Sequence, residues 1–171
     1  MEKLPENKPE KPPVLYHASS NNNIENFQPR NNKTRDPNEG PRIFATPSKA
    51  MASIFLVETD DSWAQSGECD GVPYLVISDE KRFRDLDNGG TIYTLPSDSF
   101  KNDPQKGLGE LEWTSSKDVK PIEKETVASA LDTMIKNGVK VCFLDSETFQ
   151  KMQNASDGGE SMLKDLLFNN R

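Results

Sequence analysis

The chain has 171 residues, enough for one domain with tails. Hydrophobic residues make up 33% and charged residues 29%, and the net charge is −7 with a pI near 4.8. Nucleic-acid affinity rests mostly on phosphate neutralisation by Lys and Arg, so this balance argues against a general DNA or RNA binder. No run approaches the roughly 18 apolar residues of a membrane span, and no secretory apolar segment opens the chain. The expected compartment is the cytoplasm, with secretion as an effector the alternative.

Residues 1–13 carry Pro5, Pro9, Pro12 and Pro13 among alternating Lys and Glu. Such a segment buries too little apolar surface to offset ordering, and it reads as a disordered N-terminal arm. The domain proper is expected over 14–153. Val14–His17 is the first predicted strand, delivering the only histidine of the chain into Ala18-Ser19-Ser20. A long polar loop follows over Ser19–Pro41, with Ile24, Phe27 and Pro29 as inward anchors; loops of that length are usually functional or disordered. Its Arg30, Lys33 and Arg35 and the following Arg42 form a local basic cluster.

Arg42–Ala45 reads as a second short strand. Thr46-Pro47 signals a helix start, with Thr as cap and Pro at the first helical position. That helix is expected to reach about Glu58, with Ala50, Met51, Ile54 and Phe55 on its apolar face. Trp63 follows in an acidic linker. Val72–Ile77 is a buried strand by its continuous apolar run. Phe83, Leu86 and the turn Asp87-Asn88-Gly89-Gly90 lead into a strand over Thr91–Leu95. Another strand is expected over Leu111–Ser115, extended past a kink by Val119–Ile122. Thr126–Lys136 reads as a helix ending before Gly138, Val139–Leu144 as a strand and Ser146–Met152 as a short helix. The segment 154–171 opens on the breaker Ser156-Asp157-Gly158-Gly159. It continues as a short apolar helix that either docks on the domain or recruits a protein partner.

The fold class implied is α+β: a mostly antiparallel, split β-sheet with a few flanking helices. The regular alternation of a doubly wound fold is missing, and so are Gly-x-Gly-x-x-Gly and Walker loops. Cys69 lies in a loop-like Gly-Glu-Cys-Asp-Gly and Cys142 in an apolar strand; a disulfide is left open. One His and two scattered Cys supply too few ligands for a metal site.

Three short motifs resemble one family. Leu15-Tyr16-His17-Ala18-Ser19 looks like the first-strand signature of poly(ADP-ribose) polymerase-like ADP-ribosyltransferases. Ile43-Phe44-Ala45-Thr46-Pro47-Ser48-Lys49-Ala50 resembles their second motif, a strand running into a helix that opens with Ser. Glu112-Trp113-Thr114-Ser115 resembles the late strand that opens on the catalytic Glu. The match spans about Val14–Ile122 in the family's order, and each motif is three to five residues long.

The resemblance implies an ADP-ribosyltransferase-like fold and a site that cleaves NAD at its glycosidic bond, with NAD as substrate and no metal. Glu112 would stabilise the oxocarbenium-like transition state and hydrogen-bond the ribose 2′-OH. His17 would hold the adenosine ribose hydroxyls. Backbone groups at Ala18, with Ser19 beside them, would hold the nicotinamide amide, and Phe44 or Tyr93 would stack on its ring. Ile43, Ser48 and Glu110 complete the implied cofactor-binding set. Ala18 stands where the family has Gly. The stacking Tyr falls on Ile43, or on Phe44 if the register slips by one. Glu110-x-Glu112 is similar to the Glu-x-Glu of arginine-directed enzymes, which carry Arg rather than His on the first strand.

Each residue has a plainer reading. His17 is then a strand-end histidine bonded to a loop, and Tyr93 is packing. Glu110 and Glu112, alternating with Leu111 and Trp113, share one solvent-facing strand face, and the arginine cluster is a solvated loop. Three functions follow. The first is a mono-ADP-ribosyltransferase or NAD glycohydrolase with an unspecified acceptor. The second is a non-catalytic nucleotide- or protein-binding module on the same fold, or a domain of unknown role carried by bacteria or their viruses. The third is an RNA 2′-phosphotransferase-like enzyme, against which the negative charge counts.

Overall fold

The structure is a computed structural model that describes residues 10–31 and 38–169. Residues 1–9 of the expected N-terminal arm and the cluster members Lys33 and Arg35 lie outside the described residues. The fold is α+β, and among the described residues nine strands form three three-stranded sheets. In the first, β1 (Val14–Ser19) and β8 (Glu123–Val127) flank β5 (Gly90–Pro96), all antiparallel. In the second, β2 (Ile43–Ala45) and β6 (Phe100–Asn102) flank β7 (Trp113–Ser115), again antiparallel. In the third, β3 (Ala64–Cys69) and β9 (Lys140–Phe143) flank β4 (Val72–Ile77), with β4–β9 parallel.

A bridge stitches the first two sheets together. Tyr16 N–H donates to the Thr46 carbonyl at 2.7 Å, and Thr46 N–H donates to the Tyr16 carbonyl at 3.0 Å. Thr46 therefore spends its backbone on β1 and cannot open a helix. Helix α1 (Lys49–Ile54) starts two residues later than the sequence suggests, with the Ser48 hydroxyl accepting from Met51 N–H. It also stops at Ile54 rather than near Glu58, in a turn that tucks Leu56 and Val57 into the core and leaves Phe55 exposed.

Two other expectations are corrected. The segment 123–127 is a strand, so α3 covers only Ala130–Lys136. Its start is fixed by Ser129 Oγ accepting from Asp132 N–H and by the Asp87 carboxylate accepting from Ala130 and Leu131 N–H. The strand expected over 111–115 begins only at Trp113, because Gly109–Leu111 forms a 3-10 turn entered through Gly109 at φ +64°. Val119 does not continue that strand; it bridges Phe27.

Strands β3 and β6 and helix α2 (Glu80–Leu86) were not foreseen. The β3–β4 hairpin turns on Asp70-Gly71, both at positive φ, the signature of the tight turn that matches strand twist. Helix α4 (Ser146–Asn154) and helix α5 (Glu160–Phe168) cover the third sheet. Leu163 and Leu167 pack with Phe149, Met152, Tyr74 and Val76, so the C-terminal helix docks on its own domain.

A second apolar cluster lies between the first two sheets, built from Leu15, Phe27, Ile43, Tyr93, Leu95, Phe100, Trp113 and Val119. A third gathers Ala18, Met51, Ile54, Trp63, Leu75, Phe83, Ile92 and Met134 around α1 and α3. Both cysteines are free. Cys69 opposes Val72 and Cys142 opposes Val76, on the two sides of β4. Four residues along a strand is about 13 Å, beyond the ~7 Å Cα separation a disulfide spans. Among the described residues no helix is long and apolar enough to cross a membrane.

Candidate functional site

The three motifs lie on adjoining strands. His17 sits on β1, whose neighbour Tyr16 pairs with Thr46 at the end of β2. Strand β2 pairs with β7 through Phe44–Thr114 and Ala45–Trp113. Glu112 stands one residue beyond that last pair, in extended conformation. Segments some 95 residues apart in sequence thus meet at one level of the β1–β2–β7 set, a distance that follows from their numbers.

Side chains alternate across a strand, and antiparallel partners share a face. His17 pairs with Tyr93 and so faces the core between the sheets. The Phe27 ring lies edge-on between them, 4.9 Å from His17 and 5.1 Å from Tyr93. Ile43, Ala45 and Trp113 turn to the same core. Phe44, Thr114 and, by alternation, Glu112 turn to the opposite face. The structure therefore brings Phe44 and Glu112 onto one face and sets His17 on the other.

His17 is tied to that opposite face through the backbone. Its Nδ1 lies 2.6 Å from the Phe44 carbonyl oxygen. A carbonyl only accepts, so Nδ1 carries the proton and donates. The bond fixes the tautomer and ring plane, and it holds the residue that carries the candidate stacking ring. This geometry ties the His17 ring to the Phe44 backbone.

The other predicted positions fall as follows. Ala18 is buried opposite Ile92, with its methyl in the α1–α3 core. Ser19 Oγ accepts from Asn21 N–H at 3.1 Å. Ile43 is core, which leaves Phe44 as the half-buried aromatic of the second motif. Ser48 is occupied as the α1 cap. Tyr93 is fully buried, its hydroxyl donating to the Asn21 carbonyl at 2.5 Å and accepting from Ile24 N–H at 3.0 Å. It anchors the Asn-rich loop that leaves His17; Thr91 and Lys124 add bonds to Asn22.

Glu110 and Glu112 do not share a strand face. Glu110 lies in the 3-10 turn, exposed, with its carbonyl accepting from Trp113 Nε1 at 3.1 Å. The Glu112 carboxylate, half-buried, accepts from Leu108 N–H at 2.8 Å. Asn102 Nδ2 donates to the carbonyls of Gly109 and Glu112, so the turn is tied on both sides. An open depression of about 460 Å³ lies beside this turn, lined by Glu68, Gly107, Leu108, Glu110 and Leu111. It adjoins Glu110 rather than His17. Among the described residues no cluster of His, Cys, Asp and Glu could hold a metal ion.

Comparison with known proteins returns no match to a family model, a curated protein or a solved structure.

Sequence reasoning missed Thr46 and Thr114, two buried hydroxyl-bearing residues on the Phe44–Glu112 face. Their signal was present in the strand alternation once the end of β7 is placed at Trp113.

Proposed function

We propose that this protein binds NAD and cleaves its nicotinamide–ribose bond, as a mono-ADP-ribosyltransferase or NAD glycohydrolase. The observation that carries the reading is the meeting of β1, β2 and β7, which puts a half-buried ring and a half-buried carboxylate on one face. Phe44 supplies the ring for the nicotinamide. Glu112 supplies negative charge where positive charge develops on the ribose. The Leu108 N–H bond keeps that carboxylate oriented, and preorganised charge costs nothing at the moment of reaction. His17 holds Phe44 in place from behind. The acceptor of the ADP-ribosyl group is a protein, a nucleic acid, a small molecule or water.

The test is Glu112→Gln, which keeps shape and removes charge. Nicotinamide release should fall roughly 100-fold or more, with NAD affinity within a few-fold of wild type. Unchanged release sinks the assigned mechanism.

A second reading has its own observation in support. Glu112 is already an acceptor within its turn, and Ala18 fills with a buried methyl the place where the family has glycine. Both suit a non-catalytic nucleotide-binding module. NAD binding without nicotinamide release in the wild type selects that reading.

A further inference from the structure

We infer that Arg30 and Arg42 form a clamp for the diphosphate of a nucleotide ligand, on the same face as Phe44 and Glu112. The two residues pair directly across an antiparallel bridge. Arg30 N–H donates to the Arg42 carbonyl and Arg42 N–H to the Arg30 carbonyl, both at 3.1 Å. Residues exchanging both bonds carry their side chains on the same side, with Cβ atoms about 5.5 Å apart. Like charges placed directly opposite destabilise a strand pair. The chain does this although it has 28 acidic residues against 21 basic ones. Among the described residues neither guanidinium meets a carboxylate in an ion pair. A bound dianion turns that repulsion into attraction.

The pair is held in place before any ligand arrives. Phe27 bridges Val119 and Arg30 bridges Arg42, so the segment 27–30 is fixed at both ends. Arg42 is half-buried, and its Nη1 donates to the Pro41 carbonyl at 2.9 Å. Gly40, at φ +75°, makes the turn that brings Pro41 there. Preorganisation of this kind reduces the ordering cost of binding.

Arg42 and Phe44 are two residues apart on extended backbone and so share a face. That face runs from the two cations, past the Phe44 ring and Thr114, to Glu112. Arginines, an aromatic ring and a carboxylate on one face offer contacts of the kinds that the phosphates, the base and the ribose of a nucleotide need. Planar guanidinium groups bind phosphate oxygens in pairs, which a solitary lysine does not. The identity of the ligand rests on the NAD reading above; the clamp itself does not.

Calorimetry with inorganic pyrophosphate, ADP-ribose and NAD tests it, on wild type, on Arg30→Gln/Arg42→Gln and on Arg30→Lys/Arg42→Lys. The wild type should bind pyrophosphate and ADP-ribose. The Gln pair should lose about 10-fold or more for both, and the Lys pair should lose less. An unchanged melting temperature confirms the fold; if the Gln pair melts early, the exposed single variant Arg30→Gln should still show the loss. Arginine-dependent binding of pyrophosphate and ADP-ribose without NAD binding upholds the clamp and defeats the NAD reading. NAD binding that the Gln pair leaves unchanged overturns the clamp and leaves the NAD reading standing. Failure of the wild type to bind pyrophosphate or ADP-ribose also overturns the clamp.

Discussion

Tyr93→Phe isolates one hydroxyl and asks how much of the site it organises. The phenol ring is fully buried and packs edge-on against Phe27, which in turn touches His17. Phe keeps those contacts. What is lost is the bond to the Asn21 carbonyl and the bond from Ile24 N–H. At about 1 kcal/mol net for each, the loss is about 2 kcal/mol. The full penalty for stranded buried groups does not apply, because Asn21 is exposed and Ile24 only half-buried, so water can reach both. For a domain of this size that is a fall of roughly 4–8 °C in melting temperature. Denaturant midpoints give the energy, and amide exchange at Ile24 gives its location. Exchange at Ile24 should accelerate while β5 amides change little beyond the global shift. A loss below about 0.5 kcal/mol with unchanged exchange at Ile24 would refute the claim that Tyr93 anchors the loop leaving His17.

Further outcomes follow from single residues. Ser48→Ala removes the α1 cap and should cost about 1 kcal/mol by urea denaturation, whereas Thr46→Ala leaves that cap intact. Gly89→Ala builds a Cβ only 2.0 Å from the Val127 carbonyl oxygen at φ +70°, both backbone features, and should cost more than about 2 kcal/mol on the same assay. The Thr148 N–H bond, Thr148's side chain and Lys151 hold the Asp145 carboxyl below the usual aspartate range. A depressed folded-state pKa stabilises above the unfolded value, and that stability is lost as pH falls through the folded one. Urea midpoints measured from about pH 5 to pH 2 should therefore fall less steeply in Asp145→Asn than in wild type. An equal slope would contradict the capping role.

Strands with continuous apolar or β-branched runs were legible in the sequence: β1, β2, β4, β5 and β9. So were α4 and α5, and the end of α3 at Gly138. Strand β3 was not, because Gln65, Ser66 and Glu68 give it a polar face; its visible sign was the Asp70-Gly71 turn. Strand β8 reads as Glu-Lys-Glu-Thr-Val because it is an edge, where charge discourages further pairing. Helix α2 buries only Phe83, too little for a period to show. The parts of the candidate site were visible one by one, but their faces were not. The 3-10 turn at Gly109–Leu111 breaks the alternation that would have aligned Glu110 with Glu112. The pairing of Arg30 with Arg42 depends on a bridge between two loop segments that no local pattern encodes.

The proposed NAD site lies at the β1–β2–β7 junction. Its most direct test is calorimetric titration of the wild-type protein with NAD, with nicotinamide release followed in the same samples. Saturable binding below millimolar NAD is expected, weakened in His17→Ala and accompanied by slow release of nicotinamide. Absence of binding at millimolar NAD would contradict it.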